Sequence, residues 1–206
     1  IYDLAQLIHQ QNLAPLHVIA HSLGGGVALC YAGVYPENIK KMIVIEGTGG
    51  PPGNYYDRPI HKKIGDWIEQ TRKMAGRLPK RYENLEEAFE RMHEANSHLR
   101  ADQARHLTAH GSDQNEDGSY SWKFDNYTHV MSPLDILPHE TRELWGRIDS
   151  PVMLVSGSES WMDSVEREKH VTYFKDATHV TVQDAGHWVQ HDQLDEFLGL
   201  TRDFFG

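Results

Sequence analysis

Residues 16–35 restrict the fold of this chain more than any other segment. An apolar run of strand length leads to His21 and Ser22, three glycines follow, and a helical pattern then continues to Tyr35. A strand that passes so directly into a helix needs a tight turn, and small residues let the two backbones come close. Such a turn lifts a serine hydroxyl above the end of the strand, so Ser22 is a candidate nucleophile.

Three further runs have strand length and are rich in β-branched residues, namely residues 41–46, 151–156 and 179–183. Helical patterns over residues 163–174 and 193–205 follow two of them. Runs that are apolar on both faces are typical of a parallel sheet covered on both sides. The alternation predicts an α/β fold with four parallel strands and flanking helices.

A long segment, residues 47–149, separates the second and third of these strands, and ordinary connections are only a few residues long. It has helical spacing over residues 59–75 and 97–110, and Asn84 with Glu87 predicts the start of another helix. A turn at Glu116-Asp117-Gly118 lies between possible short strands. We therefore expect a core of residues 1–49 and 148–206 and a mostly helical cap, residues 50–147, over the carboxyl edge of the sheet.

A serine nucleophile needs a base from a loop at the same edge of the sheet. His187 follows the fourth strand in Ala185-Gly186-His187-Trp188, where Gly186 lets the chain turn. Because the chain has 14 histidines, this position and not the residue type singles out His187. The backbone N–H of Leu23, directly after Ser22, is a candidate donor to an oxyanion.

These features resemble the α/β-hydrolase superfamily: the elbow at Ser22, the ending at His187 and the long insertion between them. Within the insertion, Ser97-His98-Leu99-Arg100 through His110-Gly111 is similar to the serine-hydrolase-like branch. The resemblance covers most of the 206 residues. It implies acyl transfer on a carboxylic ester or similar substrate, with Trp161 and His21 as candidate substrate contacts. Trp67 and Trp122 are further candidates that could equally belong to the core of the cap.

Most α/β-hydrolases have an aspartate three residues after the glycine that ends the third strand seen here, but this chain has Ser160 there. Two carboxylates could replace it: Glu159, one residue short, and Glu46, which closes the second strand. A one-residue slip turns a side chain to the other face, which counts against Glu159. Some serine hydrolases and the related haloalkane dehalogenases carry the acid after the strand beside the nucleophile strand, and Glu46 resembles that arrangement. Glu46 is the favoured acid and Glu159 the alternative, although either could instead cap backbone amides.

Members of this superfamily normally have eight strands, and those before the elbow supply a neighbour for the elbow strand and a second oxyanion donor. This sequence begins one helix before the elbow, which predicts an incomplete copy. Either an N-terminal half or a second copy of the chain is expected to cover the elbow strand, because an open apolar edge promotes aggregation. The isolated chain is therefore expected to be poorly soluble or oligomeric.

The charge, the apolar runs and the cysteine content limit the classes of partner and the location expected for this protein. The chain has 20 Lys and Arg against 30 Asp and Glu, and this net charge of -10 opposes binding to nucleic acid or to anionic membranes. No apolar run is long enough to span a bilayer, and the single Cys30 cannot form an internal disulfide, which fits a cytoplasmic location. No histidine or carboxylate grouping has the spacing of metal ligands, so neither a metal nor another cofactor is expected. A small-molecule substrate is the expected partner.

Two other functions fit the same residues. A carbon–carbon bond hydrolase for a diketone-like substrate uses the same three side chains on this fold. A non-catalytic homologue would keep the fold and bind a ligand without turnover. Haloalkane dehalogenases and epoxide hydrolases are disfavoured, because their nucleophile is an aspartate where this chain has Ser22.

Overall fold

The computed structural model describes residues 1–49, 55–161 and 164–206. The chain divides into two compact units, the first formed by Ile1–Pro51 with Ile136–Gly206 and the second by Pro52–Asp135. The strands are β1 (Leu16–His21), β2 (Ile39–Ile45), β3 (Ser112–Gln114), β4 (Tyr120–Trp122), β5 (Val152–Gly157) and β6 (Ala177–Val182). The helices are α1 (Tyr2–Gln10), α2 (Leu23–Val34), α3 (Ile60–Met74), α4 (Leu85–Ala95), α5 (Ala101–Gly111), α6 (Pro138–Gly146), α7 (Ser164–Val171), α8 (Val189–Asp192) and α9 (Leu194–Phe205).

The first unit contains a parallel sheet with the strand order β1-β2-β5-β6. Alternate residues of β2 and β5 point to opposite faces, and both faces are buried. Met42 and Val44 lie in a core shared with α2 and Trp145, whereas Ile43 and Ile45 pack with Val189 and Phe197. Because helices cover both faces, the central strands are apolar throughout, and the predicted α/β fold with four parallel strands is confirmed.

All four strands of this sheet end at one edge, since they run in parallel. The loops that follow them carry Ser22, Glu46, Ser160 and His187, respectively. Register places the ends of neighbouring strands together: Ile45 pairs with Val155, and Gly157 with Val182. This edge is therefore where the candidate site forms.

The observed elements start and end within a few residues of those predicted from the sequence. The helix expected over residues 163–174 is shorter, ending at Val171, and its expected first residue, Asp163, lies outside the described residues. β1 stands at one end of the strand order, and Ile19 on it is 49% exposed. Coverage of β1 by another segment or copy stays a prediction. No helix in the described ranges is long and apolar enough to cross a membrane.

The second unit combines α3, α4 and α5 with the antiparallel pair β3 and β4. Asn84 caps α4 by accepting the backbone N–H of Glu87 at 3.0 Å, and the Glu87 carboxylate accepts the N–H of Glu83 at 2.8 Å. The turn between β3 and β4 contains Gly118 at φ 87°, a conformation that favours glycine. The helix predicted to start at Asn84 and the turn predicted at Gly118 are thus confirmed.

The boundary between the units differs from the expected cap of residues 50–147. α6 falls in the first unit, where Trp145 is buried and its ring stacks on Phe174 with centroids 5.1 Å apart. The α6 backbone approaches Gly33 so closely that a Cβ there would be 2.6 Å from the carbonyl oxygen of Leu144. Arg147 also donates to the carbonyl oxygen of Gly33 at 2.8 Å. α6 consequently packs with the sheet unit and completes the core around Trp145.

Candidate active site

Ser22 connects β1 to α2 in a strained conformation. Its φ of 53° and ψ of -124° lie in a region that non-glycine residues rarely adopt, at a typical cost of about 1–3 kcal/mol. Its N–H donates to the carbonyl oxygen of Ile45 at 2.8 Å, which ties the turn to the end of β2. The hydroxyl does not cap α2, so the ordinary role of a serine at a helix start does not account for it.

Glycine allows the helix after Ser22 to cross the loop that follows β2. A Cβ on Gly25 would lie 2.8 Å from the Cα of Gly47 and 2.9 Å from Cγ1 of Val44. A Cβ on Gly24 would meet nothing within 4 Å. The close approach therefore depends on Gly25 and Gly47 and does not depend on Gly24.

His187 lies in the loop after β6, as the sequence predicts, and its ring reaches the elbow. Its Nε2 is 2.9 Å from Oγ of Ser22, within hydrogen-bond distance. Gly157 at the end of β5 makes room for this loop, since a Cβ there would be only 2.2 Å from the carbonyl oxygen of Ala185. The two residues are 165 positions apart in the chain and meet because β1 and β6 end at the same edge.

Glu46 follows β2 with a φ of 50°, and its carboxylate is buried beside His187. Oε1 accepts the N–H of Gly157 at 2.9 Å, and Oε2 accepts the hydroxyl of Ser160 at 2.7 Å. Oε2 also lies 3.6 Å from Nδ1 of His187. This last separation is longer than a hydrogen bond, so the two atoms face each other at the distance of an ion pair.

Glu159, the alternative acid, has a different environment. It is exposed, and its Oε1 is 3.4 Å from Oγ of Ser158. Ser160, at the position where an aspartate was expected from the resemblance, instead donates to Glu46. The structure thus brings Glu46, and not Glu159, to His187.

Two predicted substrate contacts lie beside His187. The exposed Trp161 ring has its centroid 6.2 Å from that of His187. Nε2 of the half-buried His21 is 2.8 Å from the carbonyl oxygen of His187, so this nitrogen is already engaged within the protein. Burial lowers the pKa of His21 below its ordinary value of 6.5, the hydrogen bond to His187 raises it, and the charge of His187 lowers it further.

Leu23 and the two other candidate tryptophans, Trp67 and Trp122, can also be placed. Leu23 is the first residue of α2, where a backbone N–H has no acceptor within the helix. In the second unit, Trp122 donates to the hydroxyl of Tyr82 at 3.2 Å, as a core residue would. Trp67 is 40% exposed and lines a groove of about 650 Å³ within that unit, together with Ile64 and Leu134.

Comparison with known proteins places this geometry in a family. Residues 1–194 match the sequence model of the family described as alpha/beta hydrolase fold. The chain belongs to this family. As an α/β-hydrolase, it is similar to a solved hypothetical protein of Pseudomonas aeruginosa, which is 20% identical and shares its fold with a TM-score of 0.82. That match covers 99% of this chain and 71% of the other.

Two curated relatives of this α/β-hydrolase have names that state an activity. A Haemophilus influenzae protein with esterase/lipase in its name is 26% identical, covering 98% of this chain and 64% of the relative. A Pseudomonas putida protein named 2-hydroxy-6-oxononadienedioate/2-hydroxy-6-oxononatrienedioate hydrolase 1 is 23% identical, with 98% and 66% covered. The chain therefore spans less than two thirds of the length of either relative.

Proposed function

We propose that this α/β-hydrolase cleaves a carboxylic ester or a similar acyl substrate through an acyl-enzyme on Ser22. The observation that carries the proposal is the position of the His187 ring. One of its nitrogens is 2.9 Å from Oγ of Ser22, and the other faces the buried Glu46 carboxylate at 3.6 Å. A serine, an imidazole and a carboxylate in this order are the parts that nucleophilic acyl transfer needs.

The proton movements follow from the two nitrogens of His187. With its proton on Nδ1, facing Glu46, the ring has a lone pair on Nε2 for the hydroxyl proton of Ser22. Oγ then attacks the substrate carbonyl, and the imidazolium returns the proton to the leaving alcohol. Water, deprotonated by the same nitrogen, attacks the acyl-enzyme and releases the carboxylic acid and Ser22.

Glu46 supports these steps as an oriented anion. The N–H of Gly157 and the hydroxyl of Ser160 each occupy one of its oxygens, so the buried carboxylate is held in place and its charge is stabilised. That charge stabilises the imidazolium that forms when His187 takes the proton of Ser22. Glu46 thus takes the role that an aspartate at the position of Ser160 has in most members of the family.

The tetrahedral oxyanion is stabilised by the backbone N–H of Leu23. This group belongs to the first turn of α2, where the helix dipole also favours negative charge. Losing one such donor typically costs about 10²–10³-fold in rate. Trp161, exposed beside His187, offers an apolar surface to a small-molecule substrate.

Labelling with a fluorophosphonate tests the proposal, because an activated serine hydroxyl attacks the phosphorus of this reagent, displaces fluoride and is phosphonylated. We expect modification of Ser22 that is lost in Ser22→Ala and in His187→Ala. Ser97→Ala, which removes an exposed serine of the second unit, should label like the wild type. A protein that ligands stabilise but that no fluorophosphonate modifies would instead be a non-catalytic binding protein.

Carbon–carbon bond hydrolysis is a second candidate, favoured by the Pseudomonas putida relative whose name specifies a hydroxy-oxo dicarboxylate substrate. The same three side chains would serve it. Turnover of p-nitrophenyl esters compared with that of a vinylogous diketone separates the two activities. We expect esters to be turned over with the higher kcat/KM, and faster diketone cleavage would assign the second activity.

A further inference from the structure

The loop between β6 and α8 carries His187 and is called the base loop. Two polar side chains hold its backbone at Gly186 and at His187. The ring of His21 contacts the carbonyl oxygen of His187, and the carboxylate of Asp192 contacts the N–H of Gly186, the preceding residue. Neither contact involves the reacting atoms. We propose that His21 and Asp192 are positioning residues that keep the His187 ring in reach of Ser22, an assignment that rests on the proposed function.

The His21 contact determines which of its nitrogens carries a proton. Nε2 lies 2.8 Å from the carbonyl oxygen of His187, and because a carbonyl only accepts, Nε2–H must donate. His187 needs the opposite tautomer, with Nε2 unprotonated toward Ser22. The two rings, 4.8 Å apart between centroids, therefore have different functions. The contact engages Nε2 of His21 within the protein, and the role of His21 as a substrate contact stays a prediction.

Asp192 acts from the short helix α8, which follows the base loop. Its Oδ2 accepts the N–H of Gly186 at 2.8 Å. The two hydrogen bonds thus enclose Gly186 and His187, and every φ and ψ rotation of these two residues lies between them. Gly186 supplies no side chain to restrict this loop, so the two contacts provide the missing rigidity.

Positioning of this kind matters for rate because the Ser22–His187 contact is short and directional. A misplacement of about 1 Å can cost about 10²-fold in an active site. The lowered pKa of His21 adds an electrostatic benefit, since burial keeps it neutral beside a ring that becomes an imidazolium during catalysis. The charged or titratable groups that face His21 are His187, Glu46 and His191.

The test measures fluorophosphonate labelling of Ser22 together with kcat and KM for an ester, using the full chain. His21→Ala and Asp192→Ala should each lower the labelling rate and kcat by about 10–100-fold with KM unchanged. The double variant should lose about as much activity as the more impaired of the two single variants, because both contacts act on one loop. His21→Gln, which keeps a donor near Nε2, and Asp192→Asn, which keeps an acceptor, should recover most of the rate.

A matched control is available in the second unit, where Nε2 of His93 contacts the carbonyl oxygen of Leu99 at 3.0 Å. His93→Ala removes the same kind of contact and should label like the wild type. If His21→Ala does not fold, His21→Leu fills the space without a donor and must show the same loss. Circular dichroism and thermal unfolding establish that each variant is folded.

Three results would overturn the assignment while leaving the proposed function in place: unchanged labelling in the folded alanine variants, a raised KM with unchanged kcat, or fully additive losses in the double variant. The second of these would make His21 a substrate contact. Wild-type protein that is not labelled at Ser22 would overturn the proposed function, and this assignment with it.

Discussion

Replacing Glu46 by glutamine removes one negative charge while preserving most of its contacts. The glutamine oxygen can still accept the N–H of Gly157, and its amide nitrogen takes the place of the oxygen now 2.7 Å from the hydroxyl of Ser160. We therefore expect Glu46→Gln to fold, with a melting temperature close to that of the wild type. The side chain that faces Nδ1 of His187, however, is then uncharged.

The size of the effect follows from the separation of 3.6 Å between Oε2 of Glu46 and Nδ1 of His187. Two opposite unit charges at this distance attract each other by about 5 kcal/mol at an effective dielectric constant of about 20. The attraction applies to the imidazolium and not to the neutral ring, so it lowers the barrier and not the energy of the resting enzyme. At about 1.4 kcal/mol per tenfold in rate, Glu46→Gln should lose about 10³-fold in kcat/KM.

The assay compares Glu46→Gln with Glu159→Gln in ester turnover and in fluorophosphonate labelling. Glu159 is exposed, and a surface change of this kind should alter the rate by no more than about twofold. Equal losses in the two variants would remove Glu46 from its proposed role. A loss below about tenfold in folded Glu46→Gln would show that the electrostatic reasoning is wrong.

Three further outcomes are expected. Gly25→Ala should destabilise the protein by several kcal/mol because its Cβ meets backbone at 2.8 Å, whereas Gly24→Ala should be tolerated; thermal unfolding compares them, and equal effects would contradict the packing argument. Ser160→Ala should lower the free energy of unfolding by about 1.5–3 kcal/mol through loss of a hydrogen bond to a charged group, measured in urea, and an unchanged value would count against that bond. The folded protein has a lowered His21 pKa, so below about pH 6.5 the unfolded chain binds a proton that the folded protein does not, and the free energy of unfolding decreases as the pH decreases. His21→Gln should therefore lose less stability than the wild type between about pH 7 and about pH 5, and an equal loss would show that His21 does not cause it.

Much of the fold could be predicted from sequence, because the local patterns and the tertiary structure agree. The apolar run over residues 42–45 of β2 has no polar face, and a sheet covered on both sides accommodates it. The prediction that Ser22 and His187 lie near each other also follows from sequence, since Ser22 directly follows β1 and His187 lies in the loop after β6, both at the carboxyl edge. The distance of 2.9 Å between Oγ of Ser22 and Nε2 of His187 comes from the structure alone.

Other features depend on distances that a sequence does not contain. The choice between Glu46 and Glu159 is decided by which side chain enters the space beside His187, and both follow strand ends. α6 lies within the predicted cap segment, and no helix is predicted at its residues; the core into which Trp145 packs depends on tertiary contacts. The sequence patterns do not predict the contact of Asp192 with Gly186, although a carboxylate five residues after a loop histidine is a pattern that can indicate such a contact.

The order of the strands also has a consequence for synthesis of the chain. Ser22 leaves the ribosome long before His187, and β6 is the last strand of the parallel sheet in chain order. Until β6 pairs with β5, Ser22 lacks the imidazole of His187, and an unassisted serine hydroxyl is a weak nucleophile. We therefore expect Ser22 to be unreactive in a nascent chain that lacks β6, and hydrolytic activity to begin only when the sheet is assembled.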